Sequence, residues 1–211
     1  MSGEMGLRER KRLRMAANIS DVAIGLFLAR GFDAVSVAEV AEAAEVSKPT
    51  LFRYFPTKED LVLHRFADHQ DEAGRVVAGR PEDVSALTAL RRHFLAGLDR
   101  HDPVTGLSDD PQVLAFHRLL YGTPALLARV FAYTEGAEEA LAAALGGPDE
   151  VEARLAAGQI IAVQRILARE NWRRIAAGER AADLRAVAGA TAERAFDQLE
   201  AGLTRYGSVT R

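Results

Sequence analysis

Apolar residues recur along this chain at the three- and four-residue spacing of α-helices almost from end to end. Ile19, Val22, Ala23, Leu26 and Phe27 fall on one face of a first helix that begins inside a basic run and stops at Arg30-Gly31. In SVAEVAEAA, Ser36 stands three residues before Glu39, a capping box, and Val37, Val40, Ala41 and Ala44 form the inner face of a short second helix. After a break at Glu45-Val46, Ser47 caps a third helix that tolerates Pro49 in its first turn. That helix can hardly pass Tyr54, because Pro56 disfavours helix in the residue before it. Thr57 and Asp60 make a second capping box, opening a fourth helix expected to run through Ala78 to Gly79. Further helices are predicted over 84–100, 111–121, 124–145, 150–177 and 182–206, with HDPVTGLSDDP as an acidic, proline-bounded, mobile loop.

The third helix carries more rings than one buried face can take. Leu51 and Phe55 can share an inward face with Val46, but Lys48, Pro49, Phe52, Arg53 and Tyr54 cannot all join them. The surplus points outward, where a ring can meet a thymine methyl or a sugar, and Thr50 and Tyr54 can offer hydroxyls to phosphate. Lys58 adds a cation on the next helix's first turn, where unpaired amides already favour phosphate. Two short helices behind a longer one make a helix-turn-helix, whose second short helix enters the major groove.

Composition narrows the class. With 211 residues, 48% of them hydrophobic and 27% charged, the chain is globular and can bury one large core or two smaller ones. It has no cysteine, which excludes a disulfide framework, a thiolate metal site and a cysteine nucleophile. Neither a signal peptide nor a membrane span is readable, so the expected location is cytoplasmic. A net charge of −3 argues at first against nucleic acid. The cations are clustered, however: LRERKRLR sets Arg8, Arg10, Lys11, Arg12 and Arg14 against the single acid Glu9. A phosphate backbone responds to that patch rather than to the total, since screening limits its view to about 8–10 Å.

On AVSVAEVAEAAEVSKPTLFRYFPTKEDLV the chain resembles the DNA-binding segment of the TetR family of transcriptional regulators, whose pattern ends in S-x-x-T-[LF]-[YF]-x-[YH]-F-x-[ST]-K-E-x-L. The likeness runs from about Ile19 to Leu63. It implies an all-α homodimer with a three-helix N-terminal helix-turn-helix DNA-binding domain, here 1–65 with the basic arm. A larger C-terminal helical domain for ligand binding and dimerisation, here 66–211, would follow. By position, Pro49, Thr50, Phe52 and Tyr54 would face bases and backbone of a palindromic double-stranded operator, and Ser36 and Lys58 would hold phosphates. Ser47, Lys48 and Arg53, with Arg8, Arg10, Lys11 and Arg12 of the arm, complete the expected DNA-binding set. Two departures stand out. Glu45 occupies the usual turn glycine, so a left-handed conformation is either avoided there or costs about 1 kcal/mol. Val37 and Ala38 stand where the family often has a cation or a threonine.

The last two helices are rich in small residues, and Ile160, Ile161, Val163, Leu167, Leu184, Val187, Leu199 and Leu203 cover more than one face. Pairing across a two-fold axis would bury that surplus, as it does in the family; a well-buried core pair is the alternative. Polar and aromatic residues on otherwise apolar helices are His93, Phe94, Phe116, His117, Tyr121, Phe131, Tyr133, Gln159, Gln164 and Trp172. They could line a pocket for an amphipathic effector, although each taken singly is more often core or surface. DDPQVLAFHRLLYGTPALLARVFAYTEGAEEALAAAL resembles the ligand domain of actinobacterial members proposed to bind acyl-coenzyme A-like molecules.

An enzyme is not expected. There is no Gly-rich phosphate loop, no G-x-S-x-G and no H-E-x-x-H. His64, Asp68, His69 and Glu72 look metal-like but lack a third ligand at proper spacing, so neither metal nor cofactor is expected. A helical adaptor that binds a partner protein would explain the C-terminal pair, but not the two short helices, the basic arm or the outward rings. The sequence therefore predicts a transcriptional regulator, a repressor that a small molecule releases from its operator.

Overall fold

The structure is a computed structural model that describes residues 6–67, 69–147 and 149–207, and no strand occurs among them. Helix α1, Leu7–Arg30, takes in the entire basic run, so from Leu7 onward the expected arm is part of a helix. Its apolar face begins only at Ala16, and Ile19, Ala23 and Phe27 are buried. Three helices follow: α2, Val37–Ala43; α3, Lys48–Tyr54; and α4, Asp60–Ala67.

Local chemistry sets their ends. The Ser36 hydroxyl accepts the Glu39 amide at 3.2 Å, while the Glu39 carboxylate accepts the Ser36 amide at 2.8 Å. Thr57 and Asp60 repeat the exchange at 3.1 and 3.2 Å. Between α2 and α3, the Val46 amide donates to the Ala41 carbonyl and the Glu45 amide to the Glu42 carbonyl, a Schellman closure. That closure needs a left-handed residue, and Glu45 supplies it at φ +55°. Of the two possibilities at this position, the chain takes the strained one. Glu45→Gly is therefore expected to raise stability by about 0.5–1 kcal/mol in urea unfolding. A neutral or destabilising result would show that the glutamate side chain compensates elsewhere.

The chain divides into two compact units, Met1–Ala67 with Ala115–Val130, and Asp68–Leu114 with Phe131–Arg211. In the first, α1 packs on α2 and α4 around Ile19, Phe27, Val40, Leu51 and Leu61. The Ser20 hydroxyl donates to the Leu61 carbonyl at 2.7 Å inside this core. Parts of α7, Pro111–Gly122, and α8, Pro124–Leu145, belong to the same unit. Arg129 of α8 donates its Nε to the buried Asp60 carboxylate at 3.0 Å, at the head of α4.

The second unit holds α5, Glu72–Ala78; α6, Ala86–Asp99; a one-turn 3-10 helix, Pro103–Thr105; α9, Glu150–Ala176; α10, Ala181–Gly202; and α11, Thr204–Gly207. Helix α10 lies against α6 and α9 over a core that includes Leu87, Leu90, Leu98, Ile160 and Phe196. Arg91 of α6 reaches Glu193, Asp197 and Glu200 of α10 at 3.4, 2.8 and 3.1 Å.

Three expectations are corrected. The single helix foreseen from Asp60 to Gly79 is two helices, with a turn at His69–Asp71. There Glu72 is drawn to His69 and to His93 of α6, and Gln70 lies over Gly136. The last long helix breaks at Leu203 before α11. HDPVTGLSDDP is packed rather than mobile: Asp102 caps the 3-10 turn, Asn171 donates to the Thr105 carbonyl at 2.9 Å, and Thr105, Leu107 and Ser108 are buried.

Candidate functional site

Helix α3 resolves its crowded composition by facing two ways. Leu51 and Phe55 are buried, and Val46 is half-buried. Ser47, Lys48, Pro49 and Arg53 are exposed, Thr50 and Tyr54 are half-buried, and Phe52 keeps 47% of its surface in solvent. Ser47 caps the helix by accepting the Thr50 amide at 3.2 Å, and its hydroxyl lies 2.8 Å from that of Thr50. An exposed ring flanked by two cations can meet a thymine methyl or a sugar while the cations meet phosphates.

At the C-terminal end of α3 the Arg53 guanidinium stands 5.6 Å from the Tyr54 ring centroid. These two residues form one wall of a cleft of about 490 Å³; the other wall is Arg8, Lys11, Arg12 and Met15 of α1. The spacing of those four is that of one helical face. Arg10 is exposed but is not among the cleft's walls, so helix formation sorts the expected arm cations into two sets. Arg12 is already engaged, in a bidentate pair with Glu9 at 2.7 and 3.1 Å that holds the Glu9 carboxyl below its ordinary range.

Two further expected residues are tied into the fold. The Lys58 ammonium donates to the Phe32 carbonyl and lies 4.3 Å from the Phe32 ring and 5.4 Å from the Phe27 ring. Ser36 is exposed, its oxygen accepting the capping bond while its hydroxyl hydrogen can still be donated.

The second unit contains a cavity of about 180 Å³. Leu90, Phe94, Ile161 and Ala168 belong to a lining that is mainly apolar, interrupted by charged, imidazole and amide side chains. Of the residues expected to meet an effector, His93, Phe94 and Gln164 lie on it. Phe116, His117 and Tyr121 belong to the first unit, where burial pushes the His117 imidazole down to about 4. Phe131 is exposed, the Gln159 amide donates to the Leu155 carbonyl at 3.2 Å, and Tyr133 and Trp172 are half-buried outside the lining. Sequence reasoning missed Gln70, Glu72, Asp102, Thr105 and Arg165 as lining residues; His69, also on the lining, is exposed. Glu72 accepts from His69 at 2.8 Å and from His93 at 3.0 Å, and these two bonds hold its carboxyl far below the usual carboxylate range.

His64 packs edge-on against Phe55 at 5.4 Å, and Asp68 lies outside the described residues. Among the described residues no group of His, Asp and Glu could hold a metal ion, and no helix is long and apolar enough to cross a membrane.

Compared with known proteins, residues 19–64 match the family described as bacterial regulatory proteins, tetR family. The HTH-type transcriptional regulator TcmR of Streptomyces glaucescens is 31% identical over 176 residues, 80% of this chain and 78% of TcmR. The HTH-type transcriptional repressor KstR of Rhodococcus jostii (strain RHA1) is 33% identical over 81 residues, 37% of this chain and 38% of KstR. Among solved structures, Salmonella enterica GusR aligns with a TM-score of 0.54 at 18% identity, over 90% of this chain and 95% of GusR, a likeness of fold.

Proposed function

This chain belongs to the TetR family of bacterial regulatory proteins, and from that premise we propose that it is a repressor which grips a palindromic operator as a homodimer and releases it when a small molecule binds the second unit. DNA-binding transcriptional regulation through a helix-turn-helix is what the family does. The observation that carries the finer reading is the outward face of α3, with an exposed Phe52 between Lys48 and Arg53, continuous with the basic cleft at Tyr54. Pro49, Thr50 and Phe52 would meet base edges, and Ser47 and Tyr54 the backbone. Repression is supported by the likeness to KstR, a repressor by name. Action on an operator places the protein in the cytoplasm.

Selection of bound duplexes from a random DNA pool at physiological salt tests this. The expected winner has two-fold symmetry, and Phe52→Ala lowers affinity for it about tenfold, or about 1.4 kcal/mol, without changing the fold. Sequence-blind, salt-sensitive binding as the only signal would sink the reading.

The dimer is supported by an unpartnered apolar stripe on α9. Val151, Leu155 and Ile166 keep 63%, 62% and 57% of their surface exposed, and Val187 of α10 keeps 50%. Their positions on α9 fall along one line at helical spacing, the geometry that a second copy related by a two-fold axis would cover. Ile166→Glu is expected to give a monomer by light scattering and to weaken operator binding at least tenfold. A variant that remains dimeric would move the interface elsewhere. Effector and operator must then oppose each other reciprocally, each lowering the other's affinity by the same factor.

A further inference from the structure

The chemistry of the cavity in the second unit is specific enough to name the class of molecule it takes, an inference that rests on the reading of this unit as the effector site. Size is the first constraint. Cavities of about 150 Å³ hold benzene, and drug-sized ligands need about 300 Å³ or more. At about 180 Å³ and partly open to solvent, this cavity can enclose one ring with a short substituent against Leu90, Phe94 and Ile161, but not a whole coenzyme A conjugate.

Polarity is the second constraint. Glu72 lies on the cavity with each carboxylate oxygen fixed by one imidazole, His93 Nε2 on Oε1 and His69 Nδ1 on Oε2. A carboxylate offers about four lone-pair positions, so these two bonds orient it and leave acceptor capacity over. Asp102, also on the lining, is paired with Arg100 at 3.6 Å and caps the 3-10 turn, and Arg165 places a guanidinium on the same lining. The lining thus sets one rigid, charged acceptor, Glu72, into walls that are mainly apolar. A carboxylate or phosphate ligand would meet repulsion there, whereas a hydroxyl or ammonium hydrogen would find a rigid, charged acceptor.

We propose that this cavity binds a single-ring amphipathic molecule whose polar end donates hydrogen bonds, a phenol or an arylalkyl amine, with Glu72 as the group that receives the donated hydrogen. Calorimetry and thermal shift on the full chain, with phenethylamine, 4-ethylphenol, 3-phenylpropionate and octanoyl-coenzyme A as probes, test it. The expected result is binding of at least one of the two donors, with no binding of the anion or the thioester. Glu72→Gln should weaken the donor at least tenfold. Ala137→Leu, which fills the cavity from α8, should abolish donor binding.

Preferential binding of 3-phenylpropionate or octanoyl-coenzyme A overturns the inference but leaves an effector-responsive regulator standing, provided that the bound compound dissolves the operator complex. Donor binding that survives both Glu72→Gln and Ala137→Leu also overturns it, as does failure of all four probes to bind. If donors bind as expected but never alter operator affinity, the ligand class stands and the regulatory reading of the unit falls.

Discussion

Gly106→Ala is expected to destabilise the second unit by about 2–5 kcal/mol, a large share of the stability of an ordinary domain. Two independent costs add. Gly106 sits in the left-handed region at φ +71°, where a side chain costs about 1–2 kcal/mol. A Cβ built there would also fall on the carbonyl oxygen of Ala168 and 3.0 Å from the Trp172 amide nitrogen. Both of those atoms are backbone of α9, so relief requires moving a helix rather than rotating a side chain. The displaced turn carries Val104 and Thr105, which line the cavity, and the Thr105 carbonyl that Asn171 binds. Gly178 is the matched control, at φ +102° with nothing near its Cβ position, so Gly178→Ala should cost only the backbone share, about 1–2 kcal/mol. Urea unfolding of the two variants separates the terms. A Gly106→Ala protein as stable as Gly178→Ala would mean that α9 yields easily, and the close approach would lose its significance.

The parts of the fold that were legible in the sequence are those fixed by neighbours along the chain. Ser36 with Glu39, Ser47, Thr57 with Asp60, and Pro56 carry their own boundary chemistry, and α2 and α3 begin and end where those residues put them. The turn at Glu45 was legible as a choice but not as an outcome, because only the packing of α2 against α3 decides whether its strain is tolerated. The break between α4 and α5 had no local sign: 68–71 contain neither glycine nor proline, and the turn is held by His93, 21 residues beyond Glu72. HDPVTGLSDDP misled by composition, since its acids include the cap Asp102 and its burial depends on Asn171, 66 residues beyond Thr105.

The candidate sites divide along the same line. Outward rings on a seven-residue helix are readable from periodicity, whereas the basic cleft depends on α1 remaining helical back to Leu7. For the cavity, an inventory of aromatic and amide groups on apolar helices picked out His93, Phe94 and Gln164. It passed over Glu72, Asp102 and Arg165, since a charged residue beside a cavity looks, along the chain, like one on a solvated face.

Between pH 7 and pH 4 the protein is expected to lose about 3 kcal/mol of stability through one side chain, His117. It is 8% exposed on α7, with the Phe116 and Tyr121 rings at 6.2 and 6.0 Å, and burial lowers its pKa from 6.5 to about 4. The unfolded chain takes up a proton as the pH falls through 6.5, whereas the folded chain resists until about 4. Within that window the unfolded state binds more protons, so stability falls with falling pH, and the loss is complete below the lower value. Depressed carboxylates act in a different range. Glu39, exposed and lowered from 4.5 to about 2, starts to contribute only below the upper of those values. Urea unfolding at several pH values above 4.5 therefore separates the histidine from the carboxylates, and the variant singles it out from the other histidines. His117→Gln should flatten the pH slope there, whatever it does to stability at neutral pH, because it is the slope and not the intercept that counts protons. An unchanged slope would assign the acid sensitivity to other groups.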